Sequence, residues 1–174
     1  DVAYQLTLMS AVRLVNASLP HLKRSGQGRI VFITSISVRQ PIPNITLSNS
    51  LRAAVAGLAK TLSREFARDA ITVNCMAPDA ILTDRIRQIA GATGADPEQR
   101  VKEMAASAPM GRLGEPAEFG AACALLGSRQ AGYLTGRTLG VERGGPGGVH
   151  EDVEVANRSA ERVWQSASWG ESGV

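Results

Sequence analysis

Hydroxyl and acidic side chains follow two predicted strands, where parallel strands usually meet their ligands. Ser35 and Ser37 come directly after the β-rich run 29–34, and Asp79 comes shortly after the run 71–76. In an open parallel sheet, ligands bind beyond the carboxyl ends of the strands, so we expect the active site among these residues. A serine there can donate a hydrogen bond to a substrate carbonyl, but serines also cap turns. The residues alone leave both roles open.

Other kinds of active site find no support in the sequence. The motifs GxSxG, HExxH and GxxxxGK(S/T) are absent, and no GxGxxG opens a helix. His21 and His150 are the only histidines, one in a predicted helix and one in the polar tail, which argues against a histidine-based triad or metal centre. Cys75 and Cys123 lie in apolar stretches without CxxC or CxxH spacing, so we interpret them as buried thiols and expect no metal site.

The composition is that of one globular domain. The chain has 174 residues, of which 44% are hydrophobic and 20% charged. The net charge of +3 comes with scattered arginines and only 4% aromatic residues, which argues against a nucleic-acid partner. No apolar run reaches the roughly 18 residues that a membrane helix needs, and residues 1–4 lack the pattern of a signal peptide. We therefore expect no membrane partner and a cytoplasmic location.

Apolar periodicity and turn residues predict alternating helices and strands. Helices are expected over 1–23, 47–67 and 116–126, and strands over 29–34, 71–76 and 138–142. The first strand lacks polar alternation, as expected when a sheet is covered on both faces. The first two strands and the helix between them form a βαβ unit, whose crossover we expect to be right-handed. The predicted fold class is therefore α/β with a parallel sheet.

Two segments lie outside this regular pattern. The polar segment 80–112, with helical patches at 83–90 and 97–106, follows the end of a strand, which is typical of a mobile lid. After residue 145, a glycine-rich linker leads into the tail 146–174, which has two basic and five acidic groups. The stretch 153–164 in this tail is open to interpretation as helix or disorder.

Five motifs, in order along the chain, are similar to those of a known family. They are ITSIS at 33–37, SNSLRAAVAGLAK at 48–60, ITVNCMAP at 71–78, GRLGEP at 111–116 and YLTG at 133–136. Together they resemble the C-terminal half of short-chain dehydrogenases/reductases, especially members similar to 3-oxoacyl-acyl-carrier-protein reductases. The resemblance covers about residues 1–145.

The resemblance implies a particular architecture. Residues 1–145 would be the C-terminal part of a single Rossmann-type domain with a doubly wound parallel sheet, and 146–174 a flexible tail. The family's phosphate-binding glycine loop and first strands would precede residue 1, so its N-terminal nucleotide-binding half is expected to be absent from this chain. The chain alone is then expected to be inactive and to bind NAD(P) weakly or not at all, with one edge of the first strand unpaired.

The resemblance also implies a set of active-site positions, several of which have changed. The family's serine that hydrogen-bonds the substrate carbonyl falls on Ser35. Its proton-donating tyrosine falls on Ser48, and its lysine falls on Arg52. The asparagine of the preceding helix falls on Thr7, and the glycine of the turn beside the nicotinamide falls on Asp79. The implied catalytic set is therefore Ser35, Ser48, Arg52, Asp79 and Thr7.

The positions that bind the cofactor match the family better than those that move the proton. NAD or NADP is the implied cofactor, with Arg52 at the ribose. The residues implied to contact the nicotinamide are Pro78, Asp79, Ile81 and Thr83, of which Thr83 is the family's own threonine for the carboxamide.

The substitutions change what the site can do with a proton. In the family a lysine lowers the pKa of the tyrosine from about 10, whereas a serine hydroxyl is a far poorer acid. Arg52 stays protonated and cannot relay protons. The proton would then come from an ordered water or from Asp79, which has either become the acid–base group, or neutralises Arg52, or is only a turn residue after Pro78.

The resemblance implies three alternative functions. The first is an NAD(P)-dependent oxidoreductase that moves a hydride between nicotinamide and a small carbonyl or alcohol substrate, such as an oxoacyl compound or a sugar. The second is a catalytically silent member that binds nucleotides or partners through the retained scaffold. The third is a structural role, because helices 1–23 and 47–67 resemble those that the family uses to form homodimers and homotetramers.

Overall fold

A computed structural model of the chain describes residues 1–91 and 96–144. The helices are α1 (Val2–Tyr4), α2 (Ser10–Ser25), α3 (Thr46–Glu65), α4 (Asp84–Gly91), α5 (Pro97–Ala106) and α6 (Pro116–Gly127). The strands in this part of the chain are β1 (Arg29–Ile33), β2 (Thr72–Pro78) and β3 (Thr138–Val141). The predicted tail 146–174, with the stretch 153–164, lies outside the described residues.

The strands form a parallel sheet in the order β1-β2-β3. Arg29 is aligned with Thr72 at the start of β1, and Cys75 is aligned with Thr138 at the start of β3. The α/β class and the parallel sheet are therefore confirmed. Since all three strands run in one direction, their carboxyl ends lie at the same edge of the sheet, where ligands are expected.

The first helical segment continues through Pro20 and ends where the sequence predicts. A π-helical segment at Gln5–Met9 joins α1 to α2. A π turn adds a residue and rotates the helix beyond it, so the apolar residues before and after this turn do not lie on one continuous helix face. The segment ends at Gly26, whose φ of 64° is a left-handed conformation that glycine adopts without a steric penalty.

The core lies around the central strand. Ile71, Val73 and Cys75 are almost fully buried and pack with Ala59 of α3. Burial raises the pKa of the Cys75 thiol to about 11, so this thiol is protonated and inert, as its apolar surroundings in the sequence indicate. Full burial of a side chain as large as Ile71 stabilises a fold by roughly 1.5–3 kcal/mol.

The expectation that β1 is covered on both faces is wrong. Its residues are half-buried, and Ile33 is 49% exposed. The physical reason is position: β2 lies between two strands, whereas β1 pairs only with β2 among the described residues. A strand with a continuous apolar sequence can therefore have an incompletely covered face, which periodicity does not reveal.

The helices beyond β2 begin and end close to the predicted residues. Asp96 caps α5, because its side chain accepts a hydrogen bond from the backbone N–H of Glu98. At the start of α6, the Glu118 carboxylate accepts a hydrogen bond from the backbone N–H of Glu115 over 2.8 Å, which caps the helix that begins at Pro116. The described residues thus confirm both helical patches of the segment 80–112. Its mobility as a lid stays a prediction.

Candidate functional site

The ends of β1 and β2 are held together by Thr34. Its backbone N–H donates to the carbonyl of Met76 over 2.7 Å, and its buried hydroxyl donates to the same oxygen over 3.0 Å. The chain can therefore turn away from the sheet only after Thr34. This fixes Ser35 at the carboxyl end of β1, where the sequence places it.

Ser35 starts a short 3-10 helix, Ile36–Val38, and its side chain has a defined role there. The Ser35 Oγ accepts a hydrogen bond from the backbone N–H of Ser37 over 3.1 Å. Accepting this bond leaves the hydroxyl proton of Ser35 available for donation to a substrate. The cap role and the catalytic role that the sequence left open are thus compatible in one residue. Ser37 itself is 2% exposed, and its Oγ has no hydrogen-bond partner among the described residues.

Ser48 and Arg52 contact each other on α3. The Nε of Arg52 donates to the Ser48 Oγ over 3.2 Å, one helical turn away. The same guanidinium donates to the backbone carbonyls of Thr34 over 2.8 Å and Ile33 over 3.3 Å. Arg52 therefore joins α3 to the end of β1 and satisfies carbonyl groups that the sheet leaves unpaired there.

Asp79 pairs with Arg143 and not with Arg52. The Nε of Arg143 lies 2.9 Å from the Asp79 Oδ2, and the two side chains are 25% and 21% exposed. Arg143 also donates to the carbonyl of Met104 in α5 over 3.1 Å. The interpretation of Asp79 as the group that neutralises Arg52 is therefore wrong. The cation that pairs with Asp79 is Arg143, which follows the end of β3.

A pocket of about 330 Å³ lies beyond the end of β2 and collects every residue implied to contact the nicotinamide. Its lining is formed by Ile33, Pro78, Asp79, Ile81, Thr83, Arg85, Ile86, Pro116 and Phe119. The walls are mostly apolar, with a few polar groups, which is typical of sites for cofactors and small molecules. The Thr83 hydroxyl lies 3.3 Å from the Ile81 carbonyl and donates to it. Of the sets of candidate residues, the four that the resemblance implies at the nicotinamide are the set that the structure brings together in one pocket.

The GRLGEP motif contributes Pro116 to the lining of this pocket and contacts Ile81 from behind it. Gly114 and Ile81 form a parallel bridge, with Leu82 donating to the Gly114 carbonyl over 2.8 Å. A Cβ at position 114 would lie 2.7 Å from the Ile81 Cδ1, so a larger residue there would displace the end of the Ile81 side chain. Arg112 binds both carboxylate oxygens of Glu118 at 2.7 Å, and this pairing holds the pKa of Glu118 at about 2. The motif is thus a structural support for Ile81.

The YLTG motif has a structural role as well. Asn74, buried in β2, donates its side-chain amide to the Leu134 carbonyl over 2.8 Å and accepts from the Arg137 N–H over 3.1 Å. The hydroxyl oxygen of Thr135 accepts from the N–H of Val73 over 3.0 Å. These bonds fix the entry into β3, and through it the position of Arg143.

Thr7 lies in a different cavity from the pocket at β2. A groove of about 560 Å³ runs between α2 and β1, and Thr7, Arg52 and Thr34 all line it. Thr7 and Arg52 are thus brought to one groove, whereas Ser35 and Ser48 line neither cavity. The structure therefore divides the candidate set between two neighbouring places at the ends of β1 and β2.

Sequence reasoning missed Arg143, Arg85 and Phe119. Arg143 follows β3 as Asp79 follows β2, so the rule that directs attention to strand ends could have found it. Arg85 and Phe119 come to the pocket from α4 and α6, and nothing in their local sequence indicates this. The described residues contain no group of three His, Cys, Asp or Glu side chains placed to bind a metal ion.

A parallel sheet with a serine and a largely apolar pocket at the carboxyl ends of its strands defines a Rossmann-like α/β domain. The profile of a family described as enoyl-(acyl carrier protein) reductase matches residues 1–145. The short-chain reductase protein NovJ of Streptomyces niveus is 31% identical over 146 residues, which are 84% of this chain and 55% of NovJ. The 3-oxoacyl-acyl-carrier-protein reductase FabG of Vibrio cholerae is 35% identical over 140 residues, 80% of this chain and 54% of FabG.

A solved structure agrees with these sequence relatives. L-sorbose reductase from Gluconobacter frateurii, in complex with NADPH and L-sorbose, matches with a TM-score of 0.74 and 31% identity, over 82% of this chain and 56% of that chain. The chain belongs to the short-chain dehydrogenase/reductase family of oxidoreductases. It spans about half the length of the curated relatives that it matches.

Proposed function

We propose that the complete natural protein is an NAD(P)-dependent oxidoreductase of a 3-oxoacyl-reductase-like type, acting on a small carbonyl or alcohol. The observation that carries this proposal is the pocket in which Pro78, Asp79, Ile81 and Thr83 come together at the end of β2. Its apolar walls suit a flat nicotinamide ring, and its rim carries the hydroxyl of Thr83 for a polar substituent. The bound cofactor supplies the hydride and, in the reverse direction, accepts it.

The proposed reduction adds a hydride to the carbonyl carbon and a proton to the carbonyl oxygen, which gives an alcohol. Ser35 donates its hydroxyl proton in a hydrogen bond to that oxygen, because its own oxygen is already held by the N–H of Ser37. Ser48, whose oxygen accepts from Arg52, relays the proton from water. Arg52 orients this relay and holds a ribose hydroxyl, but it transfers no proton.

Asp79 is a less suitable proton donor than water. The Asp79 Oδ2 is held in an ion pair with the Arg143 guanidinium 2.9 Å away, whereas a general acid has to present a proton to the substrate oxygen. We therefore propose that Asp79 shapes the pocket wall and that water is the source of the proton. Variants of Asp79 separate these two proton sources, because only one of them needs a protonated carboxyl group.

A silent scaffold is the second candidate function, and one observation favours it. The guanidinium of Arg52 makes hydrogen bonds to Ser48, Thr34 and Ile33, so this side chain has a complete structural role without any catalysis. Transfer of deuteride from 4-deuterated NADPH to a panel of oxoacyl and sugar carbonyls tests the choice. Deuterated alcohol supports the enzyme, and NADPH binding without any transfer supports the scaffold.

Homodimers or homotetramers are part of the proposal. Leu6 and Leu14 lie on the first helical segment and are 71% and 70% exposed. Leu47 lies on α3 and is 69% exposed. Small exposed residues, Ala53, Ala54 and Gly57, allow another helix to approach α3 closely. Sedimentation of the complete protein measures this assembly.

Each helix in residues 1–91 and 96–144 is too short or too polar to span a bilayer. The cytoplasmic location stays a prediction.

A further inference from the structure

The pocket at the end of β2 has two charged side chains in an otherwise mostly apolar lining. Asp79 comes from the end of β2, and Arg85 comes from the first turn of α4. Ile81, Ile86 and Phe119 contribute apolar surface between them. Arg85 is an exposed residue that lines the pocket, so its guanidinium is accessible to a ligand.

The negative charge of Asp79 is already compensated. Its carboxylate is paired with Arg143 at 2.9 Å, and its backbone N–H donates to the Val141 carbonyl over 3.1 Å. A ligand in the pocket therefore meets a neutral ion pair at this side of the wall. Because its charge is taken up by Arg143, Asp79 does not neutralise Arg85, the other charged residue in the lining of the pocket.

The positive charge of Arg85 is not compensated. Among the described residues, Arg85 takes part in no ion pair and no side-chain hydrogen bond. Asp84, its neighbour in the sequence, is engaged by another arginine, since Arg87 lies 3.6 Å from Asp84 and 3.3 Å from Glu98. Within the part of the chain that the structure describes, the pocket therefore has one free guanidinium.

We propose that Arg85, an exposed cation on the lining of this pocket, binds an anionic oxygen group, a carboxylate or a phosphate, of a ligand that reaches it beside the nicotinamide. A guanidinium presents parallel N–H donors to two oxygens of such a group and stays charged at any ordinary pH. This inference rests on the proposed function, since it makes the substrate an oxo compound with a negative charge at its other end. The same chemistry would bind a phosphate of the cofactor, and the experiment distinguishes these two sources.

The experiment compares the complete natural protein with its Arg85→Gln variant by titration calorimetry. The probes are NADPH alone, then acetoacetate and its uncharged methyl ester in the presence of NADP. Loss of a hydrogen-bonded ion pair is expected to weaken acetoacetate binding by about 10- to 100-fold and to leave the methyl ester within about twofold. If NADPH binding falls by that factor instead, the anion is a cofactor phosphate.

Two further variants make the result specific. Arg85→Lys keeps the charge and is expected to retain most of the affinity. Arg100→Gln removes an equal charge from α5, where Arg100 pairs only locally with Glu103, and is expected to change nothing. Arg85→Gln binding both anionic probes within about twofold of the natural protein overturns the inference, as does a natural protein that binds neither. If the natural protein binds acetoacetate through Arg85 but does not bind NADPH, the proposed function is wrong and the inference about Arg85 still holds.

Discussion

The carboxyl ends of β1 and β2 lie side by side in one sheet, but their polar groups are used differently. At the end of β2, Pro78, Ile81 and Thr83 face a pocket, and Asp79 is neutralised by Arg143. At the end of β1, the guanidinium of Arg52 is taken up by Ser48 and two backbone carbonyls. The implied cofactor-binding positions thus line an open pocket, whereas the implied proton-transfer positions Ser48 and Arg52 also join a helix to a strand.

This difference shows that binding and proton transfer can change separately within one site. A binding pocket needs a suitable shape and a few polar groups. The end of β2 and Ile81, which is bridged to Gly114, form part of its wall. Proton transfer needs a group whose pKa is near the working pH. Serine hydroxyls and guanidinium groups in general titrate far above neutral pH, so Ser48 and Arg52 do not themselves provide a group of this kind.

The largest expected effect comes from rebuilding the end of β1. In the complete protein, Ser48→Tyr with Arg52→Lys restores a phenol beside an amine, and turnover is expected to rise about 10²- to 10⁴-fold, the contribution of a positioned general acid. Steady-state reduction of carbonyls by NADPH measures this. Arg52→Lys alone is the control and should raise nothing. Unchanged turnover in the double variant would show that proton transfer is not what the end of β1 has lost.

Ser35→Ala is expected to lower turnover by about 10²-fold, because removal of a donor to a developing oxyanion has an effect of this order. NADPH affinity should stay within about twofold, since Ser35 does not line the pocket at β2. Single-turnover kinetics separates the two quantities. Ser37→Ala, which leaves the Ser35 oxygen and the backbone N–H of residue 37 in place, is the matched control. An equal loss in both variants would indicate a structural effect.

Variants of the ion pair separate the two interpretations of Asp79. If Asp79 supplied the proton, Asp79→Asn would cut turnover by about 10²- to 10⁴-fold. With water as the source, we expect a loss of less than about tenfold.

Arg143→Met leaves a partly buried carboxylate unpaired and removes a bond to Met104, so the free energy of unfolding is expected to fall by about 1–3 kcal/mol. Urea denaturation measures this, and in Arg100→Met it should fall by less than about 0.5 kcal/mol, the value of an exposed helix pair.

The smallest effect concerns the support of Ile81. The pKa of Glu118 is lowered from 4.5 to about 2 by Arg112, so this carboxylate stabilises the fold above about pH 4.5 and loses its effect as the pH falls toward 2. Thermal unfolding of the natural protein and Glu118→Gln should therefore differ at about pH 6 and converge at low pH. Since both partners are exposed, the difference is small. A difference that grows on acidification would contradict this account.

Much of the fold could be predicted from local signals. Apolar spacing along 47–67, turn residues after residue 25 and the proline at 116 predict elements that the structure contains, with bounds shifted by a few residues. The rule on strand ends then directs attention to Ser35 and Asp79 without any knowledge of tertiary contacts. The family motifs added the identities of Ser48, Arg52 and Thr83 as site positions.

The partners of those residues could not be predicted in the same way. Arg143 reaches Asp79 because β3 lies next to β2, and Arg52 reaches Thr34 because α3 packs at the end of β1. Such pairs are far apart in sequence, and which of many arginines meets a given carboxylate is set by strand order and register. Helices and strands were predictable because periodicity and turn residues act locally. Which charges are paired, and which are left free as at Arg85, became known only from the folded chain, because long-range contacts fix the electrostatics of a site.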